Sequence, residues 1–328
     1  MRSSSTPGSA RSTLAWKAPS RPTPRIAIFT RRDSKLRISL TQMKLAGAPI
    51  SWGVCEVPDW GLQLAPDRVL ADMRALGLRA TEAGPPGFLP ADPAKARALL
   101  DSCGLRLIGG FVTAVLHESA RRADELASVK HQAEWLAAGG SELVVLAPAL
   151  AQTGYAGATE IPDGAWPVLL EGIDRVAEIA GSYGLGVAVH PHWGTAIERP
   201  QHIERFLQRS AHALCLDTGH IALGGADPLE VARKAGPRVR HVHLKDVDGA
   251  LAARVRSGAV SYNDAVRAGL FRPLGDGAGR IKEVLEHLRG ADYGGWYVLE
   301  QDVMLDADPA PGPPGWIAQS AAFARKHA

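Results

Sequence analysis

Short apolar runs alternate with longer stretches of helical period along most of the chain. The apolar runs are Leu45–Trp52, Leu78–Ala83, Leu105–Val112, Leu143–Leu150, Gly186–Val189, Ala213–Leu216, Val239–Leu244 and Trp296–Leu299. Each has the length of a strand covered on both faces, where alternation gives way to a continuous apolar run. The helical pattern predicts helices over Pro66–Leu76, Asp92–Cys103, Ser119–Ala138, Asp163–Tyr183, Pro200–Arg209, Asp227–Ala235 and Arg280–Leu288. Pro or Asp opens several of them, and Gly77, Gly104, Gly139 and Gly184 stand just past four C-termini, as helix ends require.

Strands that alternate with helices pair in parallel. Eight such repeats in about 280 residues suit one closed (β/α)8 TIM barrel, predicted over residues 43–328. An open doubly wound sheet is the competing arrangement. Against it, no Gly-x-Gly-x-x-Gly follows the first strand and there is no P-loop. Residues 248–278 are a long insertion after the seventh strand, with a short helical pattern at Ser261–Gly269. In a barrel such an insertion sits over the mouth and reads as a lid.

Composition narrows the class. The chain is 46% hydrophobic and 22% charged, which excludes collagen, coiled coil and wholesale disorder. No apolar run approaches the roughly 18 residues of a membrane helix, so no membrane partner is expected. Residues 1–42 hold nine Lys/Arg and one acid, whereas the rest holds 28 basic and 33 acidic residues. The basic balance therefore belongs to the first 42 residues, and the mildly acidic body argues against nucleic-acid binding. That first segment is rich in Ser, Arg and Pro, with no hydrophobic period before Ile26–Phe29, and is predicted to be disordered. Its Arg- and Ser-rich, acid-poor start resembles an organelle transit peptide; the simpler reading starts translation at Met43. Three cysteines without a C-x-x-C spacing argue against a disulfide framework or zinc ribbon and for a reducing cytoplasm. Nothing in the pattern decides the oligomeric state, and a homo-oligomer fits it.

In a barrel, residues at the C-terminal strand ends point into the site. Strands one and two end in Ser51-Trp52 and Thr81-Glu82, strand four in Pro148, strand five in His190-Pro191-His192-Trp193, and strand six in Asp217-Thr218-Gly219-His220. Strand seven reads His241-Val242-His243-Leu244-Lys245-Asp246, and strand eight ends in Glu300-Gln301-Asp302. One histidine on a strand is commonly a packed core residue. Several imidazoles and carboxylates converging from adjacent strands are costly to bury without a partner, and a divalent metal removes that cost. Side chains repeat every two residues, so His241 and His243 share a face and His243 lies nearer the mouth. The predicted ligands are His190, Asp217, His243 and Glu300. Mixed nitrogen and oxygen donors suit Mn2+ or Co2+, with Fe2+, Zn2+ and Mg2+ as alternatives, better than Ca2+.

These motifs resemble the xylose isomerase-like barrel family of sugar isomerases, epimerases and dehydratases. Asp217 in Leu-Asp-Thr-Gly-His, His243 in His-Val-His-Leu-Lys-Asp and Glu300 in Val-Leu-Glu-Gln-Asp match three of the family's four ligands, one on each of strands five to eight. Phe271-Arg-Pro-Leu-Gly-Asp-Gly277 is similar to the family's segment before the last helix. At the fifth strand the family's sugar epimerases carry a Glu where this chain has His190. The start Ala48-Pro-Ile-Ser-Trp-Gly53, Thr81-Glu-Ala-Gly84 and His190-Pro-His-Trp-Gly-Thr195 are closer to the inosose dehydratase branch. Ala147-Pro148 departs from that branch, where a polar residue is expected. The resemblance implies a metal-dependent lyase that removes water from a keto-inositol or similar keto-sugar. A keto-sugar isomerase or epimerase is the alternative, and a non-catalytic sugar-binding barrel the second. An endonuclease of the same barrel family needs more ligands and a basic surface. His192 and Glu300 are assigned base or acid roles. Lys245 either polarises a substrate oxygen or pairs with Asp246 or another acid. Glu82 either binds substrate hydroxyls or is a structural acid. Trp52, Trp60 and Trp193 wall the pocket or are plain core, His220 touches the substrate or orients a ligand, and His241 is a packed histidine deeper in the barrel.

Overall fold

The apolar runs become parallel strands. In the computed structural model, which describes residues 43–152 and 160–327, they are β1 (Lys44–Gly47), β2 (Ala80–Glu82), β3 (Arg106–Ala114), β4 (Leu143–Pro148), β5 (Gly186–Val189), β6 (Ala213–Asp217) and β7 (Val239–Leu244). Then come β8 (Asp246–Val247), β9 (Phe271–Arg272) and β10 (Trp296–Leu299). β1 to β7 and β10 form a closed barrel in which β10 pairs with both β7 and β1. The disorder expected for residues 1–42 lies outside the described residues.

The helices are α1 (Pro66–Ala75), α2 (Pro93–Ser102), α3 (Arg122–Ala138), α4 (Ala165–Ser182), α5 (Pro200–Arg209), α6 (Thr218–Gly224), α7 (Pro228–Ala235), α8 (Gly249–Arg256), α9 (Tyr262–Arg267), α10 (Ile281–Gly290) and α11 (Gly315–His327). Those predicted from period keep their places within a few residues. The pattern did not predict α6. Thr-Gly-His followed by a Gly pair is poor helix former. The Asp217 carboxylate accepts the His220 N–H at 2.7 Å and caps the turn, and burial does the rest. The first apolar run is also shorter as a strand than expected. Pro49 offers no N–H to a ladder, and Pro49–Trp52 winds into a 3-10 turn closed by Gly53 at φ 78°.

Register positions the chemistry. Asp217 pairs with His243 across β6 and β7, and His243 pairs with Val298 across β7 and β10. Glu300 lies two residues past Val298 and so shares its inward face. Below this level the interior is filled by Ala46, Ala80, Ile108 and Val298, and by Val145, Ala188 and Cys215.

The insertion is anchored to the barrel. β8 and β9 form an antiparallel ladder, Asp246 opposite Arg272 and Val247 opposite Phe271. The buried Asp246 carboxylate accepts the N–H groups of Gly275, Gly277 and Gly279 at 2.8–3.1 Å. A Cβ at Gly277 or Gly279 would strike that carboxylate, which is why the loop can wrap it. Tyr262, Val266 and Phe271 pack with Trp60 and Trp193 in a second apolar cluster.

Candidate metal centre and active site

Asp217, His243 and Glu300 converge at the mouth of the barrel. Nδ1 of His243 lies 3.3 Å from Asp217 Oδ2 and 2.5 Å from Glu300 Oε2. These three donor atoms all fall within 4.8 Å of one another. Although His243 Nδ1 and Glu300 Oε2 are close, neither has a hydrogen-bond partner of acceptable geometry among the described residues. Two buried, orphaned donor atoms aimed at a shared carboxylate are what a divalent cation satisfies. Ligand atoms about 2.0–2.2 Å from a cation sit about 3 Å apart, so the trio fits such an ion after a small spread.

The charge balance points the same way. Glu82, Asp217, Glu300 and Asp302 are all buried or nearly so, and one lysine, Lys245, lies against the last three. Burial disfavours a charged imidazole at His243, but Glu300 and Glu82 outweigh it and hold its pKa well above the usual histidine value. Burial alone would raise the carboxyl of Glu300, yet His243 and Lys245 pull it down to about 2. The pocket therefore carries an excess of negative charge that a second positive group offsets.

Behind the trio, Glu82 reaches across from β2. Its Oε1 accepts from Nε2 of His241 at 2.7 Å and of His243 at 3.0 Å. That contact leaves Nδ1 of His243 as the donor atom of the trio, the orienting role a carboxylate plays behind a metal-bound histidine. His241 is deeper and buried, as expected, and burial lowers its pKa, so it is a neutral N–H donor to Glu82.

His190, the fourth expected ligand, stands beside the trio. Its Nε2 sits 3.3 Å from Asp217 Oδ2, and it also groups with Cys215 and His243 as a second candidate donor set. Burial lowers its pKa, so the ring is neutral.

A cavity of about 440 Å³ opens above the trio, with Glu82, His192, His243, Glu300 and Asp302 in its lining and Trp60 and Phe111 as aromatic wall. β4 contributes no side chain to that lining among the described residues, in keeping with Ala147-Pro148 at its end. Burial, His190 and Lys245 push the His192 pKa down to about 3. Its Nδ1 lies 2.7 Å from the Trp193 carbonyl, so Nδ1 carries the proton and Nε2 the lone pair.

Four of the expected site residues, each with two readings left open, lie outside the lining of this cavity. Trp52 is in the core, because the 3-10 turn directs its indole N–H to Asp72 of α1 at 3.2 Å. Trp193 packs into the apolar cluster under the insertion instead of lining the cavity. His220 lies behind His192, ring centroids 3.7 Å apart, with its Nε2 3.0 Å from Lys245 Nζ. Lys245 is completely buried and reaches no cavity surface: Nζ stands 2.7 Å from Asp302, 3.0 Å from Glu300 and 3.6 Å from Asp217. Burial opposes its charge, and these three carboxylates hold its pKa above the usual lysine value. Its partners are other acids than Asp246, whose carboxylate is taken up by the glycine loop. Sequence reasoning assigned nothing to Asp302, although it shares the inward face of Glu300 two residues away.

Residues 70–327 match the sequence profile of the xylose isomerase-like TIM barrels. The chain belongs to this family. Among the family's curated proteins, inosose dehydratase of Geobacillus kaustophilus (strain HTA426) is 30% identical over 296 residues, covering 86% of this chain and 94% of the relative. Among solved structures, the probable 3-DHS dehydratase AsbF of Bacillus anthracis superposes with a TM-score of 0.65 at 15% identity, over 86% of this chain and 98% of that one. A D-tagatose 3-epimerase-like protein superposes with a TM-score of 0.59 at 16% identity, over 87% of this chain and 95% of that one. At those identities the two superpositions speak for the barrel and its strand order alone. Among the described residues, no helix is long and apolar enough to cross a membrane.

Proposed function

We propose that this protein is a metal-dependent lyase that dehydrates a keto-inositol, or a closely similar keto-sugar, through an enediolate. The observation that carries the reading is His192 on the wall of the cavity that His243 and Glu300 also line, with His243 Nδ1 and Glu300 Oε2 buried, without a hydrogen-bond partner among the described residues, and within 4.8 Å of an Asp217 carboxylate oxygen. A relative of 30% identity named for dehydration of inosose supports the substrate class.

Asp217, His243 and Glu300 would hold a divalent cation such as Mn2+ or Co2+, which would supply Lewis acidity toward the C–H beside a ketone. His192 takes that proton at Nε2, the lone-pair nitrogen its contact with the Trp193 carbonyl assigns. As a ligand of that cation, with Lys245 Nζ 3.0 Å away, Glu300 would stay ionised and would be no proton donor. The imidazolium of His192 therefore returns its proton to the departing β-hydroxyl. One C–H and one C–O bond break, a C=C bond forms and water leaves, with no oxidant involved. Glu82 keeps the His243 ring in orientation, and Trp60 and Phe111 exclude water from two sides of the cavity. The unpaired Cys55, Cys103 and Cys215 support a reducing compartment as the place of action.

The test is elemental analysis of purified protein together with scyllo-inosose turnover, followed by the ultraviolet absorbance of the dione product. About one Mn or Co per chain, with turnover lost on EDTA treatment and restored by the metal, is the expected result. Metal without turnover moves the reaction to isomerisation or epimerisation of another keto-sugar. Neither metal nor turnover leaves a sugar-binding barrel.

A further inference from the structure

The insertion reaches the candidate metal centre through one hydroxyl. Tyr262, the first residue of α9, is 4% exposed, and its ring sits in the apolar cluster with Phe271 and Trp193. Its hydroxyl donates to Asp302 Oδ2 at 2.6 Å. The other oxygen of that carboxylate, Oδ1, forms the 2.7 Å ion pair with Lys245 Nζ. Lys245 in turn stands 3.0 Å from Glu300 Oε1 and 3.6 Å from Asp217 Oδ2, and so touches two of the three donor residues. A lysine that close to Glu300 and Asp217 competes with a cation for the same negative charge. Asp302 gives Lys245 Nζ the shortest of its three carboxylate contacts and so takes up part of the charge that would otherwise fall on Glu300 and Asp217.

We propose that Tyr262 is a positioning residue that sets the cation affinity of the centre, by fixing Asp302 so that Asp302 restrains Lys245. The inference rests on the proposed cation site and adds to it the element that controls it. The Asp302 carboxylate is held at both oxygens, from the insertion on one side and from Lys245 on the other. Without the Tyr262 hydroxyl, a buried carboxylate oxygen loses its donor, and the orientation that presents Oδ1 to Lys245 is no longer enforced. Lys245 then settles on Glu300 and Asp217. The Lys245 stem cannot retreat, because it lies against Gly219 so closely that a Cβ there would collide with it. Affinity for the cation thus depends on α9 being docked, which ties the state of the insertion to the readiness of the site.

The experiment measures Mn2+ binding to metal-stripped full-length protein, by calorimetry and by the paramagnetic resonance of free Mn2+, for the wild type, Tyr262→Phe, Asp302→Asn and the double variant. Phe keeps the ring and its packing, so the metal-free protein stays folded, its thermal midpoint lowered by no more than the lost hydrogen bond costs. Loss of one hydrogen bond to a charged group weakens Mn2+ binding in Tyr262→Phe by about tenfold. Asp302→Asn weakens it further, and the double variant is no weaker than Asp302→Asn alone, because Tyr262 acts through Asp302. Wild-type affinity in Tyr262→Phe, or additive losses in the double variant, overturns the inference while leaving the cation site in place. Failure of the wild type to bind Mn2+ overturns both.

Discussion

The two sides of the barrel mouth are built from opposite materials. At one level, β1, β2, β3 and β4 present Ala48, Glu82, Phe111 and Ala147, while the following strands present His190, Asp217, His243 and Glu300. Ionisable groups are not scattered around the ring but collected on one side, where each carboxylate has an imidazole or ammonium neighbour. Buried charge is tolerable when it is paired and costly when it is not, so concentrating the charges is the arrangement a dry interior allows. The apolar side has its own part. Phe111 meets the His190 ring edge-on, with centroids 5.8 Å apart, and keeps that face of the cluster dry. Glu82 is the exception on the apolar side, and it crosses the barrel to the histidines of β7.

The contrast can be broken most sharply at Asp217. Asp217→Ala removes a donor, the cap of α6 and a partner of His190. Cation affinity then falls by more than about a hundredfold and inosose turnover drops to background, as read by metal analysis and the dione absorbance. On the apolar side, Ile108→Ala empties a packed position below the site. It costs about 2–5 kcal/mol of stability, measured by denaturant unfolding of the metal-free protein, and leaves Mn2+ affinity within about twofold. Glu82→Gln tests the crossing residue. Loss of the anionic acceptor behind His243 weakens Mn2+ binding by about ten- to a hundredfold with little change in fold, as titration and circular dichroism together would show. The smallest effect is expected at the rim. Arg106 and Glu142 form a 2.8 Å ion pair but are 62% and 67% exposed, so Arg106→Ala changes unfolding free energy by no more than about 0.5 kcal/mol.

The architecture was legible in the chain because its signal is local. Runs such as Leu143–Leu150 and Gly186–Val189 are continuous and apolar, with Gly and Pro close by, and they appear as β4 and β5. The candidate trio was legible for a related reason: Asp217 and Glu300 directly follow apolar strand runs, and strand period puts His243 on the face of His241 and nearer the mouth. Trp52 shows where this reasoning stops. It ends an apolar run as Asp217 does, but Pro49 bends the run into a turn and the indole goes to Asp72.

Sequence by itself determined the repeating strand–helix plan, the closed barrel it implies, and Asp217, His243 and Glu300 as inward-facing groups. Each of these follows from period, punctuation and covalent adjacency within a few residues. Tertiary structure alone decided which of the polar groups meet. Glu82 and His243 are joined across 161 positions of chain, and Tyr262 and Asp302 across 40. It also decided that Lys245 is enclosed rather than exposed to the cavity, and that His190 Nε2 comes within 3.3 Å of Asp217 Oδ2. Such pairings depend on distances fixed by barrel closure and on the burial that makes an unpaired charge expensive, and neither quantity is written in the local pattern.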